Sequence, residues 1–254
     1  MTRLLFFSDS HEEASFPRGL DKRVLGFCNS HFKRRYQHDP AWLKAAVDQI
    51  LAERPDAVLF GGDAVSTADP REFERALPYF LPLVRSEIPF YCTAGNHDCY
   101  VRNSACRRAM LDFYAALGNA DIEKPRCIRL NDLRLMILPE SCPTVPWLSC
   151  GRLDDETIAA VTEEVEKNDA VPLIVAGHFP LRVDTWRRGL RKAESLRQML
   201  AERKIALSLC GHVHKPSFED GEVIAGSVTR FGSMTEVLVE NGDISVKRIS
   251  LKKT

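Results

Sequence analysis

Five apolar runs in this chain each end in a short motif of carboxylate, amide or imidazole side chains. The motifs are Asp9-Ser10-His11, Gly61-Gly62-Asp63, Gly95-Asn96-His97-Asp98, Gly177-His178 and Gly211-His212-Val213-His214. They hold five of the seven histidines and are spread along most of the chain. A short apolar run closed by polar residues is the pattern of a buried strand with a polar mouth. Strands are expected over residues 4–8, 57–60, 90–94, 173–175 and 205–210. Helices are expected over 41–54, 70–85, 106–117, 154–167 and 193–203, with Pro78 and Pro82 kinking or ending the second. Residues 127–130 and 133–138 flank Asn131-Asp132 and read as a hairpin. After the last motif only strands are expected, over 223–225, 236–240 and 244–249. Strands alternating with helices, then an antiparallel tail, define an α/β protein with two sheets packed together. No repeat or linker divides the chain, so one domain over residues 1–254 is expected.

Composition narrows the function. The 35 basic and 35 acidic residues cancel, so a sequence-independent grip on nucleic acid is not expected. No stretch has the length of a membrane span, and the apolar run at residues 4–7 is too short for a secretion signal; a cytoplasmic location follows as an expectation. Without such a signal, the eight cysteines argue only weakly for disulfides. Cys92 and Cys210 read as small hydrophobes, and Cys99, beside a motif, reads as structural ahead of a ligand.

Two segments break the alternation, residues 12–39 and 180–192, and loops of such length in a compact domain are often functional. Lys33-Arg34-Arg35 reads as surface charge. The basic residues at 182–192 fit either a solvated loop or a contact to phosphate. His31 and His38 read as surface or packing residues, and Asp69 and Glu140 as structural. Gly62 and Gly95 read as the tight turns that aim neighbouring side chains.

The residue types point to metals. Asp9 and His11, like His212 and His214, are two apart, and on an extended backbone such pairs face the same side. All five motifs sit at expected carboxyl ends of strands, where ligands of α/β sheets collect. Asp9, His11, Asp63, Asn96, His178, His212 and His214 make seven candidate ligands. That is too many for one tetrahedral ion and suits two ions that also hold water. Asp63 is the best candidate for a bridging carboxylate. Two ions about 3.5–4 Å apart acidify a shared water and clamp a phosphate, which predicts in-line attack of a bridging hydroxide on phosphorus. His97 is left over from the ligand count and is placed to protonate a leaving oxygen, with Asp98 orienting it.

The ordered set Asp-x-His, Gly-Asp, Gly-Asn-His-Asp, Gly-His, Gly-His-x-His resembles the calcineurin-like metallophosphoesterase family, with every element present between Asp9 and His214. That resemblance implies that Asp9, His11, Asp63 and His214 bind one metal and that Asp63, Asn96, His178 and His212 bind the other. It implies that His97 and Asp98 assist catalysis, and that the fold is a four-layer α/β/β/α sandwich. The stretch 26–39 with Lys33-Arg34-Arg35, and Gly-His-Phe-Pro at 177–180, resemble a bacterial branch grouped with class III cyclic nucleotide phosphodiesterases. The metals so implied are two divalent or mixed-valence ions, Mn, Fe or Zn, and the partner is a small phosphorylated substrate of nucleotide or lipid type.

The expected function is therefore a dinuclear-metal phosphodiesterase. A phosphomonoesterase or a nucleotide or lipid pyrophosphatase is the second reading, and a nuclease or a non-catalytic scaffold stand behind it. A scaffold predicts missing ligands, and here every ligand position and His97 are filled.

Overall fold

Side-chain alternation along the central strands sets the layering. Leu4 and Phe6 of the first strand face one core, and Leu5 and Phe7 face another. Both sets are fully buried, so this strand is covered on both faces. The computed structural model describes residues 1–167, 169–183 and 185–253. In chain order its strands are β1 Thr2–Phe7, β2 Ala57–Phe60, β3 Phe90–Cys92, β4 Arg126–Leu130, β5 Leu133–Ile137, β6 Gly151–Arg152, β7 Leu173–Ala176, β8 Leu190–Arg191, β9 Leu207–Cys210, β10 Ser217–Glu219, β11 Glu222–Ile224, β12 Ser233–Glu240 and β13 Asp243–Ser250. Its α-helices are α1 Lys22–Phe32, α2 Ala41–Glu53, α3 Pro70–Val84, α4 Ser104–Ala116, α5 Asp155–Glu166, α6 Glu194–Ala201 and α7 Val228–Phe231.

Two large mixed sheets result. One has the order β13-β12-β1-β2-β3 and the other β10-β11-β9-β7-β5-β4. Their facing sides share a core that includes Leu4, Phe6, Leu59, Leu135, Ile174 and Leu209. Helices α2, α3 and α4 cover the outer face of the first sheet through Leu5, Phe7, Val58 and Phe60. Val161 of α5 and Leu196 and Leu200 of α6 cover the outer face of the second through Met136, Leu173 and Val175. The order of layers is therefore helix, sheet, sheet, helix, as expected. β1, β2 and β3 run parallel, as do β5, β7, β9 and β11. The carboxyl ends of β1, β2, β3, β7 and β9 lead directly into the five motifs.

Four expectations need correction. Helix α3 neither ends at Pro78 nor at Pro82 but runs through both. Each interior proline costs about 3 kcal/mol. Burying Phe73, Phe80 and Leu83 on one face returns about 1.5–3 kcal/mol apiece, which offsets the two prolines. The segment 12–39 is not simply a loop, because it contains α1 and a single 3₁₀ turn, Arg34–Tyr36. The segment 180–192 is not simply a loop either, because Leu190–Arg191 forms β8, paired in parallel with β6. Finally, the tail is not all strand: α7 turns between β11 and β12, with Gly232 in the left-handed region at φ 56°.

Candidate metal centre

The backbone places the ligands by leaving the extended conformation. Asp9, His11, Asp63, His212 and His214 all have positive φ, between 47° and 66°. The pairs 9/11 and 212/214 therefore converge through left-handed turns, not through extended alternation as the spacing alone suggested. Such conformations cost on the order of 1–3 kcal/mol each for residues with a Cβ. Cross-links hold them: Asp9 N–H donates to the Gly62 carbonyl and His11 N–H to the Asp63 carbonyl, both at 2.9 Å. Gly62 supplies a turn at φ 86°, as expected. Gly95 does something else, since a Cβ there would lie 2.1 Å from Asp63 Oδ1. It is the close approach of two loops, not a turn, that requires glycine.

The seven candidate ligands form two adjoining groups. In the first, Asp9, His11, Asp63 and His214 offer atoms within 4.8 Å of one another. His11 Nε2 lies 3.6 Å from Asp9 Oδ1, 3.7 Å from Asp63 Oδ2 and 2.9 Å from His214 Nε2. In the second, Asn96 Oδ1 lies 3.2 Å from His178 Nε2 and 2.8 Å from His212 Nδ1. Asp63 Oδ2 is 3.3 Å from that same His178 nitrogen, so it faces both groups. Donor atoms near 2.1 Å from one octahedral ion stand roughly 3 Å apart, which is the spacing seen here.

Charge tests the fit of a cation more severely than distance does. Asp9 Oδ1 and Asp63 Oδ2 are buried and accept no hydrogen bond. Unsatisfied carboxylate oxygens in a dry site are costly unless positive charge joins them. Burial alone would raise both carboxyls. The imidazoles outweigh it: His11 and His214 hold Asp9, and His178 and His97 hold Asp63, below the usual carboxylate range. His178 is correspondingly pushed up to about 10; burial opposes its charge, and the Asp63 carboxylate overcomes that. Its Nδ1 is fixed by the Gly61 carbonyl at 2.7 Å, which turns Nε2 toward the carboxylate. The donor set thus stabilises a positive charge with a proton and fits a metal that would replace it.

A ligand imidazole must be neutral, so a metal bound at His178 would displace its proton. Because its pKa is raised, the proton is present at neutral pH, and metal affinity should rise with pH up to the raised value. Calorimetric titration of metal-free protein should show affinity climbing by up to about tenfold per pH unit across roughly pH 6 to 9. A flat profile would contradict the charge balance described here.

His97 is not part of the group formed by Asp9, His11, Asp63 and His214. Its Nδ1 hydrogen-bonds to the Ser66 carbonyl at 2.5 Å, Tyr100 stacks on its ring at 5.1 Å, and its backbone N–H donates to Asp63 Oδ1. Asp98 does not orient that ring. Its carboxylate instead accepts from the backbone N–H groups of Asp63, Val65 and Gly95 and from the Tyr114 hydroxyl. Burial, and then the charge of Asp63, push Asp98 up to about 7. Asp98→Ala would strand four buried donors at about 1–3 kcal/mol each, partly relieved by rearrangement. We expect about 3–5 kcal/mol lost in urea unfolding of metal-free protein; a loss below about 1 kcal/mol would show that Asp98 is not what holds these loops.

Of three residues read as surface, packing or structural, Arg34 belongs to the site, while His38 packs against it and Glu140 supports it structurally. Arg34 is not surface charge: its guanidinium lies 3.1 Å from His97 Nε2 and 3.4 Å from His11 Nδ1. His38 sets its ring edge-on to His11 and His214, with Nδ1 2.8 Å from Thr229 Oγ1. Glu140 Oε2 accepts from the backbone N–H groups of His178 and Phe179, fixing that turn. Neither the spacing nor the composition around these three marks them. Asp69 is structural as expected, capping α3, and His31 lies on α1 beside Arg35. Cys99 packs against Met110, and all eight cysteines are free.

Comparison with known proteins agrees with this geometry. A calcineurin-like phosphoesterase family model matches residues 2–216, and these hold every motif described above. The chain belongs to the calcineurin-like phosphoesterase family. As a calcineurin-like phosphoesterase it is a metal-dependent phosphoester hydrolase, and the family implies two divalent metal ions. No curated protein sequence matches it significantly. Among solved structures it is similar to a dimetal phosphatase from Danio rerio, with 14% identity, a TM-score of 0.67 and coverage of 99% of this chain and 98% of that one. It is similar to purple acid phosphatase PPD1 from yellow lupin (Lupinus luteus), with 12% identity, a TM-score of 0.63 and coverage of 98% and 51%. It is also similar to the sulfate thiohydrolase SoxB from Thermus thermophilus, with 17% identity, a TM-score of 0.54 and coverage of 98% and 56%. At these identities the likeness is one of fold. Among the described residues, no helix of this calcineurin-like phosphoesterase is long and apolar enough to cross a membrane.

Proposed function

We propose that this chain is a phosphodiesterase that hydrolyses a P–O bond at a centre of two metal ions, Mn, Fe or Zn. The observation that carries the reading is the pair of buried oxygens without a hydrogen bond, Asp9 Oδ1 and Asp63 Oδ2, set among three imidazoles, His11, His178 and His214. Asp9, His11, Asp63 and His214 would hold one ion, and Asp63, Asn96, His178 and His212 the other. Ions held there would supply the positive charge that acidifies water and stabilises charge developing on phosphoryl oxygens.

The chain's own residues do the rest. Arg34 now spans two imidazoles, which are weak acceptors. A phosphoryl oxygen is a charged acceptor and a stronger partner for a guanidinium. Arg34 therefore orients the phosphate beside the ligands. Burial, and then Arg34, hold His97 well below the usual imidazole range, so its Nε2 is unprotonated at rest. With phosphate on Arg34, one of the two causes that keep the ring neutral is offset, and Nε2 can take a proton from solvent water and pass it to the leaving oxygen. Arg34→Ala should lower kcat/KM about 10–100-fold without changing metal content, and Arg34→Lys should restore only part of it. An unchanged kcat/KM would remove Arg34 from the reaction.

The diester reading rests on the size of the cleft. It has a volume of about 720 Å³, and beside the candidate ligands Asp63, Asn96, His212 and His214 it is lined by Tyr100, Trp147 and Arg230. Both substituents of a diester can be seated there. The test is a panel on metal-reconstituted protein: bis(p-nitrophenyl) phosphate, p-nitrophenyl phosphate, a cyclic nucleotide and a dinucleoside pyrophosphate. The reading predicts the highest kcat/KM among the diesters. A higher value for the monoester or the pyrophosphate would replace it with the phosphomonoesterase or pyrophosphatase reading.

A further inference from the structure

Helix α1 is inside out. The residues it buries are Arg23, Gly26 and Ser30. Gly26 lies against the scaffold so closely that a Cβ would meet Thr67 at 2.7 Å and Tyr100 at 2.9 Å. On the opposite side Leu25, Cys28 and Phe32, spaced i, i+3 and i+7, face outward. Leu25 is 59% exposed and Phe32 74%. A helix folded only against its own protein shows the reverse pattern.

The surrounding surface continues this face. The adjoining stripe of α1, Lys22, Asn29 and Lys33, lines the cleft that holds the candidate metal ligands. Lys22 Nζ donates to Thr144 Oγ1 at 2.8 Å and to the Leu148 carbonyl at 3.2 Å, joining α1 to the next wall. Ser149 N–H donates to the Arg187 carbonyl at 2.9 Å, joining that wall to the third. These walls carry Trp147 and Trp186, 66% and 64% exposed, and Leu20 and Tyr36 stand exposed at the two ends of α1. Scattered surface hydrophobics are ordinary, but these sit on or beside the segments that line the cleft, its rim.

Charge follows the same rim. Residues 16–38 hold six basic side chains and one acid, and residues 180–192 hold five and one, in a chain whose net charge is zero. Lys33, Arg187, Arg188 and Arg230 line the cleft. Among the described residues no carboxylate pairs with any of the four. Aromatic and aliphatic side chains mixed with lysine and arginine are the chemistry of the water–lipid boundary, where the ring or aliphatic part enters the acyl region and the cation meets anionic headgroups. Nucleic acid would use the cations and the tryptophans but has no use for Leu20, Leu25 and Phe32.

We propose that this rim seats the protein on an anionic lipid surface, and that the phosphoester it hydrolyses is carried by an amphiphile in that surface. The docking surface stands on the rim alone. The substrate class rests on the phosphoesterase reading above. In this arrangement the mouth of the cleft opens onto the headgroup layer, and a headgroup phosphate reaches the candidate ligands while its acyl chains stay in the lipid.

The test uses the full chain, metal-reconstituted, sedimented with vesicles of phosphatidylcholine alone or mixed with phosphatidylglycerol. Binding is expected to the mixed vesicles and to be weak to phosphatidylcholine alone. Leu25→Ser with Phe32→Ser should weaken it at least about tenfold. Arg18→Ala, an exposed cation of the same segment outside the cleft, should weaken it about fivefold. Both variants should keep wild-type turnover of soluble bis(p-nitrophenyl) phosphate and lose turnover of a vesicle-borne phosphodiester in proportion to lost binding. Failure to bind mixed vesicles, or binding that these variants leave unchanged, overturns the docking proposal even if the soluble ester is hydrolysed. A dimer in solution that the same variants dissociate, or single-stranded DNA binding that they abolish while vesicle binding persists, would assign the rim to those partners and overturn it too. If no soluble phosphoester is hydrolysed, the reaction reading fails, and vesicle binding still decides the docking surface.

Discussion

Asp63→Ala is expected to lose both metals and, with them, at least about 10³-fold of the phosphoesterase rate. Charge stabilisation by bound metal is worth several kcal/mol in the transition state, and each 1.36 kcal/mol is a factor of ten. Asp63 is singled out because its Oδ2 faces both ligand groups, 3.7 Å from His11 and 3.3 Å from His178. On the proposed assignment, losing any other candidate ligand should empty one group and leave the other intact. The fold should tolerate the change. Among the described residues Asp63 Oδ1 accepts only the His97 N–H, and without the carboxylate His178 can stay buried as a neutral ring. Elemental analysis and steady-state rates on the same sample check it. A variant that keeps two ions per chain, or that loses metal yet keeps the rate, would show that the carboxylate does not join the two groups.

His97→Ala should keep both metals and lose about 10²–10⁴-fold on a diester with a poor leaving group. The loss should be much smaller for a p-nitrophenolate, which departs without a proton. The ring is held for this task on one side only. Ser66 takes Nδ1, Tyr100 stacks on the face, and Nε2 is left toward Arg34 and the cleft. An equal loss on both substrates would mean that His97 acts by charge or position and not as a proton donor. A full rate on the poor leaving group would remove it from catalysis. Because His97 and Arg34 are in contact, the double variant should lose less than the product of the two single effects.

The site was legible because its residues sit where strands end, and strand ends are written in short apolar runs. Asp9, Asp63, Asn96, His178 and His212 each follow such a run, so their convergence could be read before any coordinate. Arg34 could not be read that way. It stands in a basic triplet, and nothing in Lys33-Arg34-Arg35 tells which of the three turns inward. The structure separates them by the backbone just after α1, which ends at Phe32 and passes into a single 3₁₀ turn at Arg34–Tyr36. Helix α1 itself escaped because periodicity finds helices whose apolar face is buried, and here the apolar stripe points outward while Gly26 and Ser30 pack. Helix α3 was read at nearly its full length, 70–85 against Pro70–Val84, and only the alternative that its prolines end it is excluded. Local rules count two prolines as breaks, but Phe73, Phe80 and Leu83 bury enough surface to carry the helix through them. Asp98 shows a subtler limit. Its position next to His97 in sequence suggested a partnership of side chains, whereas its hydrogen bonds go to the backbone of the neighbouring loop.

The central claim is that two ions sit side by side, joined at Asp63. Titrating metal-free protein with Mn²⁺ and recording the paramagnetic resonance spectrum tests it directly. The account predicts two equivalents bound and an exchange-coupled signal, as expected for ions about 3.5–4 Å apart. Saturation at one equivalent, or a spectrum of isolated six-line manganese at two, would contradict it.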